Sequence, residues 1–220
     1  MKIIAVSDTH ESFHVPEDMP EGDVLVHAGD ITNMGYKHAI KQFAEWLKSI
    51  EHKYDEIVVI AGNHDFLFEE NPMEAQGILR EYGPHNLHYL QDESFVYHHL
   101  ESDKEYKFYG SPWTPRFHDW AFNVNRGVLI AAKWQMIPGD TDVLITHGPP
   151  HGILDPGRGE EHVGCEELLK WMPSGVKAHI FGHCHGGYGR VMRASTLHVN
   201  AACCDEMHGL NRSPQIISIP

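Results

Sequence analysis

The sequence predicts an α/β fold. Short runs of β-branched and aliphatic residues, such as Val58-Val59-Ile60-Ala61, read as buried strands. They alternate with segments of helical period, such as residues 36–50. Several of the runs also stop abruptly and pass into Asp, Asn and His, as in Gly62-Asn63-His64-Asp65. In an open α/β sheet, ligands gather just beyond the carboxyl ends of the strands. A polar turn capping a strand explains any one such stretch equally well. What favours a chemical reading is that the same pattern occurs five times.

Taken in order, Lys2-Ile3-Ile4-Ala5-Val6 is a strand that enters Ser7-Asp8-Thr9-His10. Asp8 and His10 are two apart on an extended segment, so they point the same way. A loop rich in acid and proline leads through Met19-Pro20-Glu21-Gly22 to a second strand over 23–28, which ends at Gly29-Asp30. Ala39, Ile40, Phe43, Trp46, Leu47 and Ile50 recur at helical spacing over 36–50. The strand ending in Gly62-Asn63-His64-Asp65 follows. Residues 74–82 predict a helix stopped by Gly83-Pro84. Segments 86–90, 94–98 and 105–110 alternate and predict antiparallel strands.

Beyond them lies an aromatic loop stiffened by prolines, Gly110 to His118, then a helix over 124–136. A strand over 142–146 runs into His147-Gly148-Pro149-Pro150. A glycine-rich loop (Gly152, Gly157, Gly159) precedes a helix over about 163–172. The strand 178–181 then feeds Gly182-His183-Cys184-His185, and short strands near 188–192, 196–200 and 215–219 close the chain. With no internal repeat, linker or low-complexity tract, residues 1–220 read as one domain.

Composition narrows the function. A net charge of −14 with no basic cluster argues against a grip on long nucleic acid. No apolar run approaches the ~20 residues of a membrane span, and no signal-peptide pattern opens the chain. Cys165, Cys184, Cys203 and Cys204 form no C-x-x-C pair or disulfide framework, so reduced thiols and a cytoplasmic location are expected. Cys184, between two histidines, is expected to point away from them and to pack. The 19 histidines outnumber the 17 lysines and arginines, and imidazole is the commonest metal ligand. His27 and His179 fall inside strand patterns and read as core histidines with their hydrogen bonds satisfied.

Five strand ends therefore carry Asp8/His10, Asp30, Asn63/His64, His147 and His183/His185. Carboxylate and amide oxygens mixed with imidazole suit Mn²⁺, Fe²⁺, Zn²⁺ or Ni²⁺. The absence of cysteine from this set argues against a structural zinc. Seven ligands exceed one ion, but with one carboxylate shared they supply four to each of two. Paired ions about 3.5–4 Å apart are a standard device for displacement at phosphorus.

These blocks, D-x-H, G-D, G-N-H-D, H-G-x-P and G-H-x-H in this order over residues 6–186, resemble those of the calcineurin-like metallophosphoesterase superfamily. Gly110-Ser111-Pro112-Trp113-Thr114-Pro115, Gly186-Gly187-Tyr188-Gly189 and Val199-Asn200-Ala201 are similar to the class III cyclic nucleotide phosphodiesterase-like branch, which includes the mammalian MPPED proteins. The resemblance implies a four-layer α/β/β/α sandwich of two facing mixed sheets. It implies one cation held by Asp8, His10, Asp30 and His185 and another by Asp30, Asn63, His147 and His183, with Mn²⁺ favoured and Mg²⁺ also possible. A hydroxide between the ions would attack phosphorus, and His64 would stabilise the transition state and protonate the leaving alkoxide. Some mammalian MPPED members carry glycine at the first histidine of G-H-x-H. This chain keeps His183, so a fully occupied site is expected.

The protein phosphatases of the superfamily use an Asp three residues after the bridging one to orient the catalytic histidine; here Asn33 stands there, and Asn33 and Asp65 are both candidates for that task. Trp113 and Phe117 could stack a nucleobase while Arg116 or Arg126 reaches phosphate, or the same loop could simply pack. The expected activity is hydrolysis of small phosphodiesters, including 2′,3′- or 3′,5′-cyclic nucleotides. A phosphomonoesterase, a small nuclease and a non-catalytic binding module on the same fold are the alternatives. The sequence does not fix the oligomeric state.

Overall fold

A computed structural model describes residues 1–13, 19–157, 161–207 and 209–220. Much of the acid- and proline-rich loop and Gly159 of the glycine-rich loop lie outside the described residues. In chain order the elements begin β1 (Lys2–Val6), β2 (Val24–Ala28), α1 (Lys37–Ile50) and β3 (Glu56–Ile60). They continue with α2 (Phe66–Glu70), α3 (Pro72–Tyr82), β4 (Leu87–Tyr89), β5 (Glu93–His99) and β6 (Lys104–Ser111). Then come β7 (Thr114–Pro115), β8 (Asn123–Val124), α4 (Val128–Trp134) and β9 (Val143–Thr146). The last are α5 (Glu166–Trp171), β10 (Ala178–Phe181), β11 (Gly189–Arg193), β12 (Thr196–Asn200) and β13 (Gln215–Ser218).

Two sheets carry the architecture. The first has the order β13-β1-β2-β3-β4, parallel except for β13. The second runs β11-β12-β10-β9-β6-β5, with antiparallel pairs only at its two edges. The period-2 rule sorts each strand between two apolar layers. In β1, Ile3 and Ala5 join Val26, Val58 and Ile60 in packing against Phe108, Val143, Ile145 and Ile180 of the facing sheet. Ile4 and Val6 point the other way, onto Ile40, Phe43 and Leu47 of α1 and Leu79 of α3. On the outer face of the second sheet, Tyr109 and Leu144 meet Ile130, Trp134 and Leu168 of α4 and α5. These central strands are buried on both faces, which is why they read as unbroken apolar runs instead of alternating ones. The result is the expected four-layer sandwich of two mixed sheets flanked by helices.

Some boundaries differ from the sequence expectation. The helix expected over 124–136 is confined to Val128–Trp134, because Gly127 at φ 84° blocks it at its start. The helix expected from residue 74 begins at Pro72, behind an Asn71 cap whose side chain accepts from the Glu74 amide. The helix expected over 163–172 is trimmed to Glu166–Trp171. Helix α2 and the two-residue strands β7 and β8 were not foreseen, being too short to show a period. Among the described residues no helix is long and apolar enough to cross a membrane.

The core histidines are satisfied. His27 is fully buried, accepts from the Gly29 amide at 3.3 Å through Nδ1 and meets Thr9 Oγ1 at 3.0 Å through Nε2. His179, also fully buried, contacts Thr146 Oγ1 at 2.8 Å and His198 Nδ1 at 3.3 Å. Burial holds His27 down at about 3 and His179 well below the ordinary histidine value. Both stay neutral in the fold but take up a proton when unfolded below about pH 6.5. The unfolded chain then binds more protons, so stability is complete above that pH and declines as pH falls towards the folded value. We expect His27 alone to remove about 2 kcal/mol between pH 7 and pH 5. Because other buried groups titrate over the same range, that loss should be read from urea titrations in chelator as the difference between wild type and His27→Gln in how unfolding free energy changes with pH.

Candidate metal centre

The parallel strands of both sheets end at the same edge, and the turns beyond them are sewn together. Past β1, the amides of Asp8, His10 and Glu11 donate to the carbonyls of Gly29, Asp30 and Ile31, at 2.9, 3.1 and 2.9 Å. Ser7 forms an isolated bridge with Ala202 and its carbonyl accepts from Cys203 N at 2.8 Å, tying the first sheet's turn to the segment after β12. Asp8, His10, Asp30 and His183 adopt left-handed φ of 54°, 44°, 53° and 64°. Such backbone costs of order 1 kcal/mol or more per non-glycine residue, and it clusters where function demands it.

These turns bring together all seven residues singled out as ligands. Asp8 receives the His183 amide on both oxygens at 3.1 Å and lies 3.3 Å from His185 Nε2. Asp30 turns one oxygen, Oδ1, to the His64 amide at 2.8 Å. Its other oxygen, Oδ2, faces His147 Nε2 at 3.3 Å and His10 Nε2 at 3.8 Å. Asn63 Oδ1 is 3.0 Å from His147 Nε2. Asp8 and His147 are fully buried and Asp30 is 2% exposed, while His64, His183 and His185 are half-buried and line the open side.

Main-chain carbonyls fix three of the imidazoles. The Nδ1 of His147 pairs with Ala28 O at 2.9 Å, that of His185 with Asp205 O at 3.0 Å, and that of His64 with Asn33 O at 2.8 Å. A carbonyl can only accept, so Nδ1 carries the proton and Nε2 is the nitrogen turned to chemistry. Thus Asn33 orients His64 through its backbone, and its side-chain amide reaches His10 O at 3.4 Å instead. Asp65 has a different task. Its buried carboxylate accepts from the amides of Gly62, Ile31 and Thr32 at 2.8, 3.1 and 2.8 Å and from Thr32 Oγ1 at 2.9 Å. It clamps the turn after β2 to the turn after β3. Burial, with the nearby charge of Asp30, pushes its carboxyl up to about 6.

Charge within the cluster is mutually compensated. Burial opposes ionisation of Asp8 and Asp30, yet His185 holds Asp8, and His147 holds Asp30, well below the usual carboxylate range. Burial likewise opposes a charged His147, but Asp30 lifts it to about 9. His183 is pushed down to about 4 by burial and by the charge of His147.

The donor chemistry fits divalent cations. Ligand atoms of Asp8, His10 and His185 lie within 4.8 Å of one another, as do those of Asp30, His147 and His183. A third such trio, His10, Asp30 and His64, links the first two. Glycines make room for these carboxylates. A Cβ on Gly182 would sit 2.0 Å from Asp8 Oδ2, and one on Gly62 would sit 2.3 Å from Asp30 Oδ1.

Comparison with known proteins agrees with this geometry. The family model for calcineurin-like phosphoesterases matches residues 1–187. The chain belongs to the calcineurin-like phosphoesterase family. It is 38% identical over 245 aligned positions to metallophosphoesterase domain-containing protein 1 of Homo sapiens, and equally to that of Mus musculus, covering 100% of this chain and 71% of each relative. It is also 38% identical to the UPF0046 protein K07C11.7 of Caenorhabditis elegans, over 100% of this chain and 76% of that protein. As a calcineurin-like phosphoesterase, the chain is assigned to the metal-dependent phosphoester hydrolases.

The residues considered for substrate contact have partners of their own. Trp113 donates its indole N–H to Asp92 at 2.8 Å, and Lys133 Nζ lies 3.8 Å above its ring. Arg126 gives its terminal nitrogens to the carbonyls of Gly164 and Val163, at 2.8 and 2.7 Å. Arg116 pairs with Asp119 at 3.0 Å, and Phe117 is exposed beside His118. The aromatic residue that does reach the cluster is Trp120, whose ring centroid is 4.1 Å from that of His64. Sequence reasoning passed over it because it lies in a turn with no periodicity and no motif. Cys184 is buried as expected, and burial pushes its thiol up to about 12.

Gly182→Ala tests the cradle around Asp8. Its methyl would meet the buried side chains of both Asp8 and Ser7 rather than main-chain atoms, so these two must shift while the backbone keeps its course. We expect circular dichroism to be retained and calorimetric Mn²⁺ affinity to fall about 10–100-fold.

Proposed function

We propose that the chain is a two-metal phosphodiesterase acting on small substrates, cyclic nucleotides among them. Asp8, His10, Asp30 and His185 would hold one divalent cation, Mn²⁺ in preference, and Asp30, Asn63, His147 and His183 the other. When bound, such a pair supplies positive charge to the phosphoryl oxygens and makes water acidic enough to act as a nucleophile near neutral pH. The observation that carries the reading is the division of labour at Asp30. One oxygen is fixed by the His64 amide while the other stands between His147 and His10, so it would be free to be shared by two cations.

The chain's own residues account for the remaining chemistry. His64 holds its Nδ1 proton on Asn33 O, so Nε2 is the nitrogen that, in the imidazolium form, would give a proton to a leaving oxygen. An alkoxide needs that proton far more than a phenolate does, which suits a diesterase. Asp65 and Thr32 keep the His64 backbone in register with Asp30, Thr32 Oγ1 lying within reach of both Asp65 Oδ1 at 2.9 Å and His64 O at 3.1 Å and sharing its one hydrogen between them. The net charge of −14 suits small substrates over long nucleic acid. We also place the protein in the cytoplasm, a reading supported by its four buried cysteines, which make up no disulfide framework. A non-catalytic binding module has less support, because the seven ligands and His64 are all present.

The deciding experiment assays Mn²⁺-loaded protein on bis-p-nitrophenyl phosphate, p-nitrophenyl phosphate and 2′,3′- and 3′,5′-cyclic nucleotides. Diesters should turn over fastest. Activity confined to the monoester would overturn the diesterase reading, and no turnover with two cations bound would favour the binding module. His64→Ala should keep its metal content and lose about 10²–10⁴-fold in kcat. Asp30→Asn should lose cations as well as turnover, as measured by elemental analysis.

A further inference from the structure

Trp120 covers one face of His64, with centroids 4.1 Å apart and planes inclined by 38°. His10 meets the same imidazole edge-on at 4.8 Å and 88°. With Nδ1 tied to Asn33 O at 2.8 Å, the ring is constrained at a face, an edge and one nitrogen. Trp120 is itself supported by Phe66 at 5.8 Å and is only half-buried.

The loop carrying Trp120 is pinned on both sides of it. Ala121 N donates to the carbonyl of Asn63 at 3.1 Å, so the residue after Trp120 is sewn to the residue before His64. Phe122 is fully buried, and its carbonyl accepts from Thr114 N at 2.9 Å. On the near side, Arg116 N donates to Val124 O at 2.9 Å and Phe117 N to Asn123 Oδ1 at 2.6 Å. The indole and the imidazole therefore share one rigid frame, although the two residues are far apart in sequence.

We propose that Trp120 is a positioning residue for His64: its indole face fixes the tilt of the imidazole so that Nε2–H is aimed at the departing oxygen. This rests on the phosphodiesterase reading and on His64 as its acid. A hydrogen bond at Nδ1 alone leaves the ring free to swing about that bond. A misplacement of about 1 Å can cost a reacting group 10²-fold. A displaced acid penalises a substrate in proportion to its need for a proton, which separates this role from simple contact with substrate.

The test compares methyl p-nitrophenyl phosphate with methyl phenyl phosphate. The two present nearly the same ring but differ in how much the leaving group needs protonation. Trp120→Leu should lower kcat on the phenyl ester about 10–100-fold, and on the p-nitrophenyl ester less than about threefold, with KM little changed on both. Trp120→Phe, which keeps an aromatic face, should restore most of the loss. In a His64→Ala background, Trp120→Leu should add nothing. In metal-free protein, the ring-proton NMR signals of His64, assigned by their absence in His64→Ala, should lose their upfield ring-current shift in Trp120→Leu.

An equal rise in KM on both esters that persists without His64 would make Trp120 a substrate platform and overturn the proposal. Unchanged His64 signals and unchanged kcat in Trp120→Leu would overturn it as well. Wild-type protein that turns over neither ester with both cations bound overturns the phosphodiesterase reading itself, and the proposal falls with it.

Discussion

The Asp30 carboxylate is the group on which the rest of the site depends. It is 2% exposed, and a buried carboxylate is tolerated only when charge and hydrogen bonds surround it. Its partners come from both sheets: the His64 amide follows β3, and His147 follows β9. That requirement forces the ends of the two sheets to meet at one edge. It also explains why Gly62 has no side chain, since a Cβ there would collide with Asp30 itself.

Holding the turns around Asp30 costs strain that the surroundings must offset. Four of the seven candidate ligands have left-handed backbone, a conformation L-residues avoid. The offset comes from strand-like hydrogen bonds that continue past the ends of β1 and β2, and from the Asp65 clamp across the turns after β2 and β3. Both are made largely of buried polar groups, which hold their geometry because an unmade bond there is expensive. The site is thus preorganised by polar contacts, with the apolar layers serving mainly to bring the strand ends to a common edge.

The orientation of His64 illustrates how little of a site's control need come from side-chain identity. Its Nδ1 partner is the Asn33 carbonyl, a group that any residue would supply. The same holds for His147 on Ala28 and His185 on Asp205. Asn33 and Asp65 were both legible as residues near the site, but which of their atoms acts, and on what, depends on how two turns cross. Trp120 was illegible for a related reason: its contact with His64 joins residues 56 positions apart through a loop without a repeating pattern.

The sequence by itself determined the layers and the candidate ligands. Uninterrupted apolar runs require strands covered on both faces, and Asp, Asn and His placed just beyond five such strands converge once the strands are parallel. Tertiary structure alone decided the fine control: which nitrogen of His64, His147 and His185 faces a carbonyl, which oxygen of Asp30 faces His147 and His10, and which aromatic ring covers His64. It also set Trp113 and Arg126 into contacts with Asp92 and with the carbonyls of residues 163–164. The physical reason is the range of the information. Periodicity and motif spacing report on neighbours along the chain, whereas carbonyl acceptors, left-handed turns and ring stacking depend on which segments meet when the sheets close.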